Sequence, residues 1–234
     1  MEHTRWPTRI LSGGALKDRI AARHAHNYAQ QRAFDDVAAI FEQSPPEDGL
    51  QRLETVVNRA EIQPYEAILD IGTGTGVLIP FILKHHPSRV LACDLSGEML
   101  KRARRRFGDH VVTLQTDVVD ISLDHGPFGV VFCNAVFGNV HDQRETLETI
   151  SSLLGPMGSL VISHPMGSGF VRRLKEGSPQ YHLKELPNEK QLQELLDGTR
   201  LVLSQFTDGP NLYLAICIKI TKYGNCIASD VPFV

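Results

Sequence analysis

Hydrophobic and polar positions change period along this chain. Between Ala21 and Phe41, apolar residues at Tyr28, Phe34, Val37, Ile40 and Phe41 stand at helical spacing, which predicts an amphipathic helix broken near Asn27. Ser44-Pro45-Pro46-Glu47-Asp48-Gly49 stops it. A second helix is expected over Leu50–Ala60, with Leu50, Leu53, Val56 and Val57 on one face, ending before Pro64. From Ala67 onward, short apolar runs alternate with longer amphipathic ones. Strands are expected at Ala67–Ile71, Arg89–Cys93, Val111–Gln115, Phe128–Cys133 and Leu160–Ser163. Helices are expected at Val77–His85, Glu98–Phe107 and Arg144–Leu154, the last closed by Gly155-Pro156-Met157-Gly158.

Near-continuous apolar strands joined by helix-length crossovers indicate a parallel sheet covered on both faces. Residues 167–186 lack a period and read as a lid or substrate loop. Asn188 is placed to cap a helix running to Leu196. Two strands follow, Arg200–Phe206 and Leu212–Ile220. The five residues Thr207 to Asn211 between them are too few for a crossover helix, so they must pair antiparallel. The expected organisation is an N-terminal helical cap (1–66), an α/β domain (67–221) and a tail (222–234) with no evident role.

Composition narrows the class without naming a function. The 234 residues are 42% hydrophobic and 22% charged, with a net charge of −3. That is ordinary for a globular domain and excludes disordered, collagenous or disulfide-scaffold readings. A mildly acidic chain argues against a mainly phosphate-driven nucleic-acid binder. The basic run Lys101, Arg102, Arg104, Arg105 and Arg106 falls on a helix without interleaved aromatics, which suits a solvated face. No CxxC pair exists. Cys93, Cys133 and Cys217 lie in apolar runs and are expected to be buried, whereas Cys226 lies in a polar stretch. This usage fits a reducing, cytoplasm-like compartment. MEHTRWPTRI has no apolar segment of a signal peptide, and no run is long enough to span a membrane. His24 with His26, and His85 with His86, lack metal-site spacing, so no metal is expected.

The strongest local signal is Ile68-Leu69-Asp70-Ile71-Gly72-Thr73-Gly74-Thr75-Gly76-Val77-Leu78, a strand running into three alternate glycines and then a helix. Glycine lets backbone turn tightly and approach a ligand, and the N–H groups opening the next helix form a slightly positive surface. The pattern is GxGxG, not the dinucleotide GxGxxG, because position 77 is Val. Asp94 ends the second strand 18 residues after Gly76, where a carboxylate can accept both hydroxyls of a ribose. Asp94 alone also reads as a helix cap, but with the glycines it favours a nucleoside ligand.

These residues resemble class I S-adenosylmethionine-dependent methyltransferases. Asp70-Ile71-Gly72-Thr73-Gly74-Thr75-Gly76 is similar to the family's first motif, and Asp94-Leu95-Ser96-Gly97-Glu98-Met99-Leu100 to its second. Gln115-Thr116-Asp117-Val118 resembles the third-strand motif, and Phe132 to His141 the segment after the fourth strand. The resemblance, covering about residues 30–220, implies a three-layer α/β sandwich. Its seven-stranded, mostly parallel sheet would end in an antiparallel strand. It implies S-adenosylmethionine as methyl donor and S-adenosylhomocysteine as product. Asp70 would orient the glycine loop and the donor's amino group. Gly72, Thr73 and Gly74 would meet its methionine part through backbone, with Gly76 completing the loop. Asp94 would hold ribose, Leu95, Met99 and Val118 would flank adenine, and Asp117 would accept from its amine. The Asn134 backbone would lie near the sulfonium, and Tyr28 would cap the site unless it is a core aromatic.

Methyl transfer needs alignment and a dry pocket, and some acceptors also need a base. His141 and then His164, each just past a strand end, are the candidates; packing against a helix is the plainer role for His141. Arg172, Arg173 and Lys175 suit either an acidic substrate or a solvated surface. Phe132-Cys133-Asn134-Ala135 departs from the Asn/Asp-Pro-Pro-aromatic arrangement used on nucleic-acid bases or protein glutamine. The expectation is therefore methylation of a small or medium organic acceptor by a monomer or homodimer, with neither nucleic acid nor membrane as partner. The alternatives are a nicotinamide-dependent oxidoreductase and a non-catalytic nucleoside-binding scaffold.

Overall fold

A computed structural model describes residues 13–178 and 181–221. Cys226 and the tail from residue 222 lie outside the described residues, as does the N-terminal MEHTRWPTRI. The chain begins with α1 (Gly13–Val37), a 3-10 turn at Ile40–Glu42 and α2 (Glu47–Arg59). Alternation then runs β1 (Ala67–Ile71), α3 (Ile79–Leu83), β2 (Arg89–Asp94), α4 (Gly97–Phe107), β3 (Val112–Gln115), β4 (Phe128–Asn134), α5 (Gln143–Leu153) and β5 (Leu154–His164). It closes with α6 (Gly167–Gly177), α7 (Glu189–Leu196) and the hairpin β6 (Leu201–Gly209) and β7 (Leu212–Lys219).

The seven strands form one sheet in the order β3-β2-β1-β4-β5-β7-β6. β1 to β5 are parallel, and β7 runs antiparallel to both β5 and β6. The apolar strand runs have a physical use here. With side chains alternating between faces, Leu69, Val131, Cys133, Leu160 and Ile162 pack on one side with Leu147 and Ile150 of α5 and Leu192 of α7. Ile68, Val130, Phe132 and Val161 face the other side with Val56 and Val57 of α2 and Ile79 and Ile82 of α3. Cys93, Cys133 and Cys217 are buried, as expected, and burial pushes all three thiols up. No helix among the described residues is long and apolar enough to cross a membrane.

Four local expectations change. The first helix is unbroken at Asn27: its side chain donates to Asp117 instead of competing for the helix backbone. The helix expected over Val77–His85 is only Ile79–Leu83, with Pro80 in its first turn, where no N–H is missed. Gly155 to Gly158 lie within β5, bulging where the pairing steps from Phe128–Leu154 to Val130–Ser159. Residues 167–186 contain a helix, α6, anchored through Ser168, whose N–H and hydroxyl both donate to the Asp208 carboxylate of β6. Asn188 does cap α7, in a reciprocal capping box with Gln191.

Candidate functional site

The strand order reverses between β1 and β4, so their carboxyl ends open a crevice, the usual ligand position in an open α/β sheet. A cavity of about 480 Å³ lies there, within the range of small-molecule sites. The turn after β1 forms its floor, with Gly72 and Gly74 at φ +62° and +57°. The Gly74 N–H and the Ser96 N–H donate to the two oxygens of Asp94, at 2.9 and 2.8 Å. Those bonds tie the β1 and β2 loops together and aim the carboxylate. Burial pushes the Asp94 carboxyl above its usual range, opposed by the two N–H donors and reinforced by Asp35.

Asp70 is buried at the end of β1 and accepts the Thr73 hydroxyl at 2.7 Å, which closes the glycine turn. Burial pushes its carboxyl up to about 7, against the Thr73 bond and with help from Asp94. A folded-state value above the unfolded one means that stability is greatest at low pH and falls as pH rises toward 7. Asp70→Asn is therefore expected to be more stable than the parent at pH 8, the difference shrinking toward pH 4. Denaturant melts across that range would read it; a pH-independent difference would refute it.

Leu95, Met99, Asp117, Val118 and Asn134 also line the cavity. Asn134 Oδ1 accepts the Ser163 hydroxyl at 2.9 Å, joining β4 to β5 at the rim. Three of the expected acidic and six of the expected uncharged site residues thus converge: Asp70, Asp94 and Asp117, with Gly72, Thr73, Gly74, Leu95, Met99 and Val118. Asn134 joins them.

Four expected site residues do not reach the wall. Gly76 is a packing glycine: at φ +84°, a Cβ would stand 2.4 Å from the Phe107 ring of α4. Tyr28 is 62% exposed, with the Arg32 guanidinium 5.9 Å from its ring centre. Cavity-facing positions on α1 are Asn27, Gln30 and Phe34, a spacing that turns Tyr28 outward. His141 packs edge-on against His26 at 5.5 Å, behind Asn139 and Val140, which do line the cavity. His164 lies against Phe170, its Nδ1 accepting the Met166 N–H at 3.2 Å, and burial pushes its imidazole down to about 4. Arg172 and Lys175 face Glu185 at the surface of α6 and stay outside the cavity.

Sequence reasoning missed the wall built by α1. Asn27 donates to Asp117 at 2.6 Å, and Arg23 stands 3.6 Å from the same carboxylate. Gln30, nearly fully buried, accepts from Asn139 Nδ2 at 3.0 Å and donates to the Tyr181 carbonyl. Asp35 accepts the Ser96 hydroxyl at 2.5 Å and the Glu98 N–H at 3.2 Å. One helix therefore crosses the loops after β2, β3 and β4. The i, i+3, i+7 stripe of Asn27, Gln30 and Phe34 was its available signal.

Residues 68–158 match a family described as a methyltransferase domain. The chain is 29% identical over 167 residues to a malonyl-[acyl-carrier protein] O-methyltransferase of Priestia megaterium, covering 70% of this chain and 56% of that one. It is 31% identical over 136 residues to a demethylmenaquinone methyltransferase of Clavibacter sepedonicus, covering 55% of each. The chain thus spans little more than half the length of these curated relatives. The fold is shared with the N-methyltransferase NodS of Bradyrhizobium japonicum, solved with S-adenosylhomocysteine. The TM-score is 0.66 at 16% identity, covering 81% of this chain and 98% of that one.

Proposed function

We propose that this chain binds S-adenosylmethionine in the crevice above β1 and β4 and transfers its methyl group to a small or medium organic acceptor. The observation that carries this reading is the convergence of Asp94 and Asp117 with apolar Leu95, Met99 and Val118 on one cavity wall. Carboxylates for ribose hydroxyls and for a purine amine, with apolar side chains for the ring in the same cavity, suit an adenosine group. The relatives' printed acceptors, malonyl-[acyl-carrier protein] and demethylmenaquinone, support an organic acceptor beside it.

When bound, the donor supplies an electrophilic methyl group on sulfur. The protein's part is then alignment and exclusion of water. Asp94 would fix the ribose, Gly72 and Gly74 would face the methionine part through backbone, and Asn134 would border the methyl group. Gln30, Asn139, Val140, Pro165 and Met166 line the cavity beyond Asn134 and would shape the acceptor's space. The GxGxG turn disfavours a nicotinamide dinucleotide. Calorimetry with S-adenosylhomocysteine and with NAD tests the cofactor: binding of NAD alone would overturn the reading. Transfer of a labelled methyl group to candidate acceptors tests turnover.

Neither His141 nor His164 lines the cavity, so in this reading neither serves as base. His141→Ala is expected to leave turnover nearly unchanged. A loss of about 100-fold or more, with donor affinity intact, would return His141 to the role of general base.

A further inference from the structure

Arg52, on α2, is the only Lys, Arg or His among the described residues lining the cavity. Three carboxylates line the same cavity: Asp70, Asp94 and Asp117. The arginine is held at one corner only. Its Nη1 donates to Asp48 Oδ2 at 2.7 Å, one helical turn earlier, and that bond holds the Asp48 carboxyl below its usual range. Its Nε is buried and has no hydrogen-bond partner among the described residues. Arg102 Nε is likewise buried without a hydrogen bond, but the Glu42 carboxylate stands 3.3 Å from it. A buried guanidinium N–H without an acceptor is costly, and native structures leave few such groups without a reason.

With Nη1 on Asp48 and Nε enclosed by the protein, the Nη2 N–H groups remain to meet a carboxylate oxygen. Gly49 also lines the cavity and neighbours Nη2; a Cβ there would lie in ordinary contact with that nitrogen, at 3.8 Å. Pro45, Pro46, Leu53, Val77 and Leu78 make the surroundings apolar, which strengthens a charged pair.

We propose that Arg52 is a carboxylate-recognition site within the cavity, binding either the amino-acid carboxylate of the donor or that of an acidic acceptor. The proposal rests on the donor reading above. It explains why a cavity lined by three carboxylates also carries a cation.

Two variants, Arg52→Gln and Arg52→Lys, are compared with the parent chain by calorimetry. The probes are S-adenosylhomocysteine, 5′-methylthioadenosine (which lacks the amino-carboxylate) and malonate added to the chain saturated with S-adenosylhomocysteine. If the donor's carboxylate sits on Arg52, Arg52→Gln binds S-adenosylhomocysteine about 10- to 100-fold more weakly and methylthioadenosine unchanged. Arg52→Lys, which keeps charge but not the guanidinium, should fall between. If an acceptor carboxylate sits there, both nucleosides bind the variants as they bind the parent, and malonate binding is lost. Unchanged binding of all three probes overturns the proposal. Equal loss of both nucleosides does so too, because it makes Arg52 a part of the fold. A parent chain that binds neither nucleoside sinks the donor reading instead. Malonate added without nucleoside then decides Arg52 by itself: loss of its binding in Arg52→Gln supports the site, and no difference from the parent overturns it.

Discussion

Asp94→Ala is expected to weaken S-adenosylhomocysteine binding by about 100-fold or more, the loss of two hydrogen bonds to a charged acceptor. Two losses combine at this position. The side chain would no longer reach the ribose hydroxyls. The Gly74 and Ser96 N–H groups would lose the acceptor that holds the β1 and β2 loops in register. Asp94→Asn separates them, because its amide oxygen still accepts from one N–H while its NH2 faces the other donor and the ribose. It should bind better than the alanine variant and worse than the parent. Calorimetry at neutral pH gives the three dissociation constants, with melting temperatures alongside to show that each variant is folded. A folded Asp94→Ala with parent-like affinity would remove Asp94 from the ligand site and weaken the whole donor reading.

Gly167→Ala should destabilise the protein by about 3–5 kcal/mol, combining a strained positive φ with backbone overpacking. Gly167 opens α6 at φ +69°, and a Cβ there would stand 2.1 Å from the Gly209 carbonyl oxygen. That atom belongs to the β6 end of the hairpin, so neither partner can swing aside as a flexible side chain would. Across a chain of this size the effect is a fall in melting temperature of roughly 10 °C. Gly169→Ala, two residues on in the same helix, is the matched control. Its Cβ would meet only the Arg173 guanidinium at 3.6 Å, and alanine favours helix by about 1 kcal/mol over glycine. A Gly167→Ala variant that melts with the parent would show that α6 can shift from the hairpin at little cost.

The sheet was readable because its signals are local. Each strand is a short apolar run, each crossover has a helical period, and the five residues between the last two strands permit only a hairpin. The first motif was readable for the same reason: the glycines and Asp94 lie within one strand–helix–strand unit. Where local signals conflict with distant contacts, reading fails. Asn27 looks like a helix breaker until its amide finds Asp117, 90 residues away. Residues 167–177 carry an apolar stripe at Phe170, Val171 and Leu174 that the surrounding glycines obscured, and the segment winds into a helix as Ser168 meets Asp208. Tyr28 and His141 attract notice by residue type, but rotation about α1 and packing behind Asn139 keep both off the cavity wall.

The amino-acid pattern thus specified the α/β class, the antiparallel ending and the acid–glycine floor, because backbone propensity and side-chain period act over a few residues. Folding decided the walls. Gln30 meets Asn139 across 109 residues, and Arg52 shares a cavity with Asp94 although α2 and β2 are separated by β1 and α3. Those proximities depend on helices packing across the carboxyl edge of a twisted sheet, a long-range arrangement that no window along the chain contains. The acceptor's chemistry will be read from these walls, and Arg52 is where it can be asked first.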